Sequence, residues 1–203
     1  MCGIIDSPDI IADVDFWNKI VDNPIGIEKM KKKIEYLMSE FGTGKPCNRF
    51  DVGNCIEFII NELICSSNFK TVEMPNAKRV DIDVENYKQL SIKYSSCGNI
   101  TLHNSNGCIN KDVVIHDTLL LTNDHLLLLS VDMIKKCGID ISNFIQNKGD
   151  SLQLKRSILK QLKLRLYPYI LHININIDKK TCKNRLCSKV FYTHFLEEFN
   201  KQN

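Results

Sequence analysis

The sequence predicts an α/β fold in which a central β-sheet is flanked by helices, and three observations support it. Apolar and polar residues alternate on both sides of a short polar break in residues 79–93, which predicts a β-hairpin. Nearly continuous apolar runs at residues 113–121 and 125–130 are typical of strands buried on both faces. Helical spacing of apolar residues, for example over residues 52–67, predicts amphipathic helices around these strands.

Three helices are expected before the hairpin. The first is predicted over residues 10–21, with Asp9 as its cap. Asn23, Pro24 and Gly26 then predict a break in the chain. The second and third helices are expected over residues 27–41 and 52–67, the third capped within residues 48–51.

The hairpin itself has one apolar face and one charged face. Its apolar side chains are Val80, Ile82, Val84, Leu90 and Ile92. A turn near residues 85–87 places Asp81 across from Ser91, with Lys93 one or two positions beyond. Asp81, Asp83 and Lys93 therefore share a face, an arrangement that is costly unless water, a cation or a phosphate compensates.

The remaining elements follow from the same patterns. A short strand is expected at residues 99–103, and a short helix at residues 131–137 is expected to stop at Gly138. Further on, we expect a helix over 152–166 capped by residues 150–151, a strand over 170–177 and a last helix over 190–199.

Positive charge is concentrated near the C-terminus. Residues 151–189 contain ten Lys or Arg and one Asp, so this segment carries a formal charge of +9 and the rest of the chain −6. Such asymmetry is typical of a polyanion-binding face, although a solvated helix face followed by a basic loop has the same composition. Candidate phosphate contacts are Lys155, Arg156, Lys183 and Arg185.

Several other functions are disfavoured. The nine cysteines have irregular spacings and no signal peptide precedes them, so we expect a reducing, intracellular location, cytoplasmic or inside a virus-infected cell, and no secretion. No run approaches the roughly 18 apolar residues that a membrane-spanning helix needs. Gly42–Pro46 lacks the spacing of a nucleotide-binding loop, and neither H-E-x-x-H nor G-x-S-x-G occurs.

The hairpin resembles the core of the PD-(D/E)xK nuclease superfamily, which includes many type II restriction endonucleases. The resemblance consists of Asp81, about ten residues, and then a strand that ends Ser91-x-Lys93. The helix before the hairpin resembles the leading helix of that superfamily, with Glu57 at the position of an accessory metal-binding glutamate. The matched region covers roughly residues 48–96, and Ser91 stands where the superfamily has Glu or Asp.

This resemblance implies a restriction-endonuclease-like core with a mixed sheet, at about residues 48–130 of a single domain that spans residues 1–203. The basic segment 151–199 completes the domain. It also implies Mg²⁺, with Mn²⁺ as a substitute, bound by Asp81 or by its rival Asp83, by the backbone carbonyl near Ile92, and by Glu57 through water. Lys93 would stabilise negative charge on the phosphate and orient the attacking water.

The expected activity is magnesium-dependent, sequence-specific cleavage of duplex DNA, with a homodimer cutting one strand per subunit. Small polar residues after the hairpin are candidates for contacts with the bases, namely Ser95, Ser96, Asn99, His103 and Asn104. They also favour loops, which is sufficient cause for their presence. Two alternatives stay open: a catalytically weakened DNA-binding protein of the same fold, and an interaction protein whose Lys93 simply pairs with Asp81.

Overall fold

Among the residues that the structure describes, the strands form a six-stranded sheet and a three-stranded sheet. The computed structural model describes residues 7–41, 46–74, 80–95, 99–104, 116–148, 151–177 and 197, with the side chains of residues 46–50, 103 and 104 excepted. Helices flank the larger sheet, so the predicted α/β class with a mixed central sheet is confirmed. The basic loop at residues 179–189 and the predicted helix over residues 190–199, apart from Glu197, lie outside the described residues.

The first two helices begin earlier than predicted because proline starts each of them. Helix α1 is Pro8–Val21, and Ser7, not Asp9, caps it by accepting a hydrogen bond from the Ile10 N–H. Helix α2 is Pro24–Glu40. The Asn23 side chain caps α2 by accepting from the Gly26 N–H at 2.9 Å, so the predicted break is the start of a helix.

Helix α3, Pro46–Ser66, also starts at a proline, and the residues expected to cap it lie inside its first turns. The predicted apolar stripe is confirmed, since Ile56, Ile59, Ile60, Leu63 and Ile64 are all buried. This helix packs against both α2 and the hairpin. It therefore carries Glu57 to the hairpin, as the amphipathic pattern requires.

The larger sheet is mixed. In spatial order its strands are β1 Thr71–Glu73, β2 Ile82–Val84, β3 Gln89–Ser95, β5 Thr118–Thr122, β6 His125–Leu129 and β9 Ile170–His172. Strands β3 and β5 are parallel, with Lys93 opposite Leu120, and the other neighbouring pairs are antiparallel. The leucines of β5 and β6 are fully buried, as their continuous apolar sequences predict.

The smaller sheet corrects one prediction. Its strands are β4 Ile100–Asn104, β7 Ile145–Lys148 and β8 Ser151–Leu154, in the order β4-β8-β7. Residues 152–154 were expected to begin a helix, but they alternate in polarity and pair with both neighbouring strands. The helix α5 is only Ser157–Leu164.

Helix α4 and strand β9 were both predicted as the kind of element that they form. Helix α4, Val131–Lys136, ends before Gly138, whose φ of 70° is a conformation that glycine adopts readily. Strand β9 is shorter than the predicted 170–177. Beyond it, Ile173 and Ile175 are buried and Asn174 and Asn176 exposed, so the predicted alternation persists without a regular strand. No described helix is long and apolar enough to cross a membrane.

Candidate active site

The β2–β3 hairpin brings Asp81, Ser91 and Lys93 to one face of the sheet. Ile82 lies opposite Leu90, the Asp81 N–H donates to the Leu90 carbonyl, and the Asp81 carboxylate accepts from the Ser91 hydroxyl, so Asp81 and Ser91 lie together as predicted. The turn between the strands is tight, with Asn86 at φ 60° and the Tyr87 N–H donating to the Val84 carbonyl. Because side chains alternate along a strand, Lys93 is on the same face as Ser91.

One oxygen of Asp81 is the centre of this cluster. Its Oδ2 accepts hydrogen bonds from Lys93 Nζ at 2.9 Å, from Ser91 Oγ at 3.0 Å and from the Ile92 N–H at 2.6 Å. The side chains of Asp81 and Lys93 are only 22 % and 23 % exposed. Charge-assisted hydrogen bonds of this kind, partly shielded from water, fix the carboxylate and the ammonium group against each other.

Helix α3 adds a second acid, Glu57, which is half-buried beside the hairpin. Burial raises the pKa of Glu57 to about 7, and the negative charge of Asp81 contributes to the rise. Lys93 acts in the opposite direction, and Glu73 on β1 adds a further increase. Glu57 is therefore electrostatically coupled to Asp81 and Lys93, and it is about half ionised near neutral pH.

The acids fit a loosely held cation better than a cage of protein ligands. Within the part of the chain that the structure describes, no three His, Cys, Asp or Glu side chains are arranged to hold a metal ion. Asp81 receives its donors at Oδ2, and no described residue donates to Oδ1. A cation near Oδ1 would relieve the repulsion between Asp81 and Glu57. Mg²⁺ accepts such a site because it keeps several of its waters.

Asp83, the second candidate ligand, lies further from this cluster. It pairs across the hairpin with Gln89, two positions from Ser91. Asp83 is also absent from the charges that influence Glu57, whereas Asp81 is the strongest of them. The choice between the two aspartates, which the sequence left open, favours Asp81 as the partner of Lys93.

Three of the candidates for DNA contact, Asn99, Lys155 and Arg156, form polar contacts within the protein. The exposed Asn99 accepts a hydrogen bond at 3.2 Å from the backbone N–H of Arg156. The Arg156 guanidinium lies 4.0 Å from the Asp124 carboxylate. Lys155 Nζ donates to the Asn143 carbonyl at 3.4 Å. Arg156 and Asn99 thus lie together, close to the C-terminal end of strand β5.

The other candidates are not gathered at one surface by the described structure. Ser95, at the end of β3, is buried, so it is poorly placed to contact a base. His103 and Asn104 belong to strand β4, but their side chains are not described. Three candidates lie outside the described residues: Ser96, Lys183 and Arg185.

A second charged cluster, which the sequence analysis missed, is buried below the hairpin turn. Lys88 Nζ lies 2.7 Å from Asp13 of α1 and 2.6 Å from Asp117, and the Tyr87 hydroxyl donates to Asp13 at 2.6 Å. Asp117 in turn accepts from the Val131 N–H at the start of α4. Asp13 is completely buried on the apolar stripe of α1, and an acid on such a stripe is the signal that predicts a buried partner.

Comparison of the chain with protein-family models, with curated proteins and with solved structures gives no match.

Proposed function

We propose that this protein is a magnesium-dependent endonuclease that hydrolyses phosphodiester bonds in duplex DNA at the cluster of Asp81, Lys93 and Glu57. The observation that carries the proposal is the contact of Lys93 Nζ with Asp81 Oδ2, in a partly buried position beside a second acid. A carboxylate, which suits a divalent cation, and an ammonium group, which suits a phosphate, therefore lie within one hydrogen bond of each other. The resemblance to the PD-(D/E)xK superfamily supports the same activity.

Each residue has a distinct role in this proposal. When bound, Mg²⁺ supplies Lewis acidity and lowers the pKa of a coordinated water. Asp81 would hold the cation, and its Oδ2 keeps Lys93 in place. Lys93 stabilises the charge on the phosphate and orients the attacking water. Glu57 gives up its proton near pH 7 and then assists through a water molecule.

Ser91 makes the site weaker than two carboxylates would. Its hydroxyl donates to Asp81 and leaves the cluster with one strong acidic ligand on the hairpin. Hard divalent cations prefer carboxylate oxygens to hydroxyls, so we expect low metal affinity in the absence of DNA. We therefore expect Ser91→Glu to tighten metal binding and to increase the rate of cleavage.

A cleavage assay tests the proposal. Mixed-sequence duplex DNA is incubated with the protein, with and without Mg²⁺ or Mn²⁺, and with Asp81→Ala, Lys93→Ala and the control Asp83→Ala. We expect metal-dependent fragments that disappear in the first two variants and persist with Asp83→Ala. Metal-dependent cutting that is unchanged in Asp81→Ala and Lys93→Ala, or no cutting by any of the proteins, would contradict the proposal.

Ser91, a hydroxyl at the position of a second acid, favours one second candidate, a DNA-binding protein of the same fold that no longer cuts. Salt-sensitive binding of duplex DNA without cleavage would select it, because phosphate contacts release counterions. An interaction protein without a nucleic-acid role would show no such dependence on salt.

Two finer properties of the proposed nuclease have their own tests. Discrete DNA fragments would support sequence-specific cutting of the restriction type. Sedimentation with DNA tests whether the protein is a homodimer, as cutting of one strand per subunit requires.

A further inference from the structure

Two histidines form a pair at the end of the larger sheet. His125 on β6 is the direct register partner of His172 on β9. Their rings meet edge to face, with centroids 5.1 Å apart. His172 is exposed and His125 is half-buried, so both rings lie at the surface of the sheet. Among the strands that the structure describes, β9 is the outer strand of this sheet.

The charged groups around His125 and His172 favour an anion over a cation as their ligand. Burial lowers the pKa of His125, and Lys163, His172 and Arg156 also lower it, whereas only Asp124 raises it. The Asp124 carboxylate lies 4.0 Å from the Arg156 guanidinium, which offsets its charge. An anion that contacts both histidines would therefore find a net positive environment, whereas a metal cation would be repelled by Lys163 and Arg156.

The pair shares a sheet face with the Asp81–Lys93 cluster. Lys93 lies opposite Leu120, Leu120 opposite Leu127, and Leu127 opposite Ile170. His125 and His172 are each two residues from the last members of this row, so alternation puts them on the Lys93 face. His125 lies two strand spacings of about 4.8 Å from Lys93 across the sheet and two residues further in the strand direction, so the two backbones are about 12 Å apart. His172, one strand further, is about 16 Å from Lys93.

We propose that His125 and His172, with Lys163 and Arg156, form a second phosphate-binding site for the same nucleic acid. This inference rests on the proposed function. Leu120 and Leu127, which lie between the two sites on this face, are completely buried, so the sites would contact separate phosphates of one duplex that spans the roughly 12 to 16 Å between them. A contact with the ionised histidines would strengthen as pH falls, since imidazolium donates from both nitrogens to a phosphate.

The test measures binding of a short fluorescein-labelled duplex by anisotropy, in EDTA, at about pH 5.5 and about pH 8. It compares wild type with the double variant His125→Gln/His172→Gln. Because Glu57 also gains a proton in this range, the contribution of the histidines is the difference between the two proteins. Lys135→Gln is the control for general charge, since α4 follows the other end of the β5–β6 pair.

We expect wild type to bind about tenfold more tightly than the double variant at the lower pH, and nearly equally at the higher pH. The slope of log affinity against log salt at the lower pH should fall by about one to two in the double variant and stay unchanged in Lys135→Gln. Thermal unfolding followed by circular dichroism checks that the double variant is folded.

The outcomes separate the two proposals. If wild type binds and cuts DNA but the double variant keeps the same pH dependence and salt slope, the phosphate site is refuted and the nuclease proposal stands. If wild type binds no DNA at either pH, both fail. A pair that binds Zn²⁺ tightly, with DNA affinity unchanged in the double variant, would also overturn the assignment to a phosphate.

Discussion

Replacing Glu57 by glutamine should stabilise the protein without metal, although Glu57 is a central residue of the proposed site. Burial, together with the charge of Asp81, raises the pKa of Glu57 from 4.5 to about 7. The folded protein therefore disfavours the ionised carboxylate. Glutamine has nearly the same shape and cannot ionise, so the variant avoids this unfavourable charge.

The size and the pH dependence of the effect follow from the two pKa values. Below pH 4.5 the carboxyl is protonated in the folded and unfolded states, and the substitution changes little. Between about pH 4.5 and 7 only the unfolded chain ionises, so wild-type stability falls as pH rises. The full rise in pKa corresponds to about 3 kcal/mol, which partial exposure reduces to about 2 to 3 kcal/mol above pH 7.

Urea unfolding of wild type and Glu57→Gln at about pH 4.5 and about pH 8, in EDTA, measures this difference. We expect similar free energies of unfolding at the lower pH and a more stable variant at the higher pH. The control is Glu62→Gln on the same helix, which loses the ion pair with Lys33 and should not gain stability. A Glu57→Gln variant that is equally stable or less stable than wild type at pH 8 would refute the reasoning.

Three further predictions concern residues outside the proposed site, and urea unfolding measures all of them. Lys88→Met should lower the free energy of unfolding by about 3 to 5 kcal/mol, because the buried carboxylate of Asp13 loses its cation; a loss below about 1 kcal/mol would show that the pair is not buried as described. Gly53→Ala should stabilise by about 0.5 to 1 kcal/mol, since its helical position has open space. Gly26→Ala should destabilise by about 1 to 2 kcal/mol, because a Cβ would meet the Asn23 cap and lie 2.8 Å from Ser66 Oγ. Equal effects of the two alanines would contradict this distinction.

The hairpin could be predicted from sequence because every part of it is local. Alternation fixes the face of each side chain, and the turn fixes the register, so Asp81, Ser91 and Lys93 were expected together. Ser91 and Lys93 are 10 and 12 residues from Asp81, and both contacts follow from that register. The position of Glu57 followed from the helical stripe of α3 and from the resemblance.

Contacts between distant segments were not predicted. The Tyr87 hydroxyl meets Asp13 across 74 residues, and Lys88 meets Asp117 across 29 residues. Periodicity carries no information about which distant segments pair. The same limit explains why strand β8 was predicted to be helical. The spacing of Leu152 and Leu154 is compatible with a strand or a helix, and pairing with β4, about fifty residues earlier in the chain, selects the strand. The start of α2 was predicted too late because Pro24, its first residue, was interpreted as part of a break in the chain.

Binding of Mn²⁺, followed by the loss of its free electron paramagnetic resonance signal, tests most directly whether the Asp81 cluster is a cation site. Wild type, Asp81→Asn and Asp83→Asn are titrated with Mn²⁺ at about pH 8, where Glu57 is ionised. Wild type and Asp83→Asn are predicted to bind with similar affinity, and Asp81→Asn at least about tenfold more weakly. Equal binding by wild type and Asp81→Asn, or no binding by wild type even with DNA present, would contradict the assignment of this cluster as a metal-dependent active site.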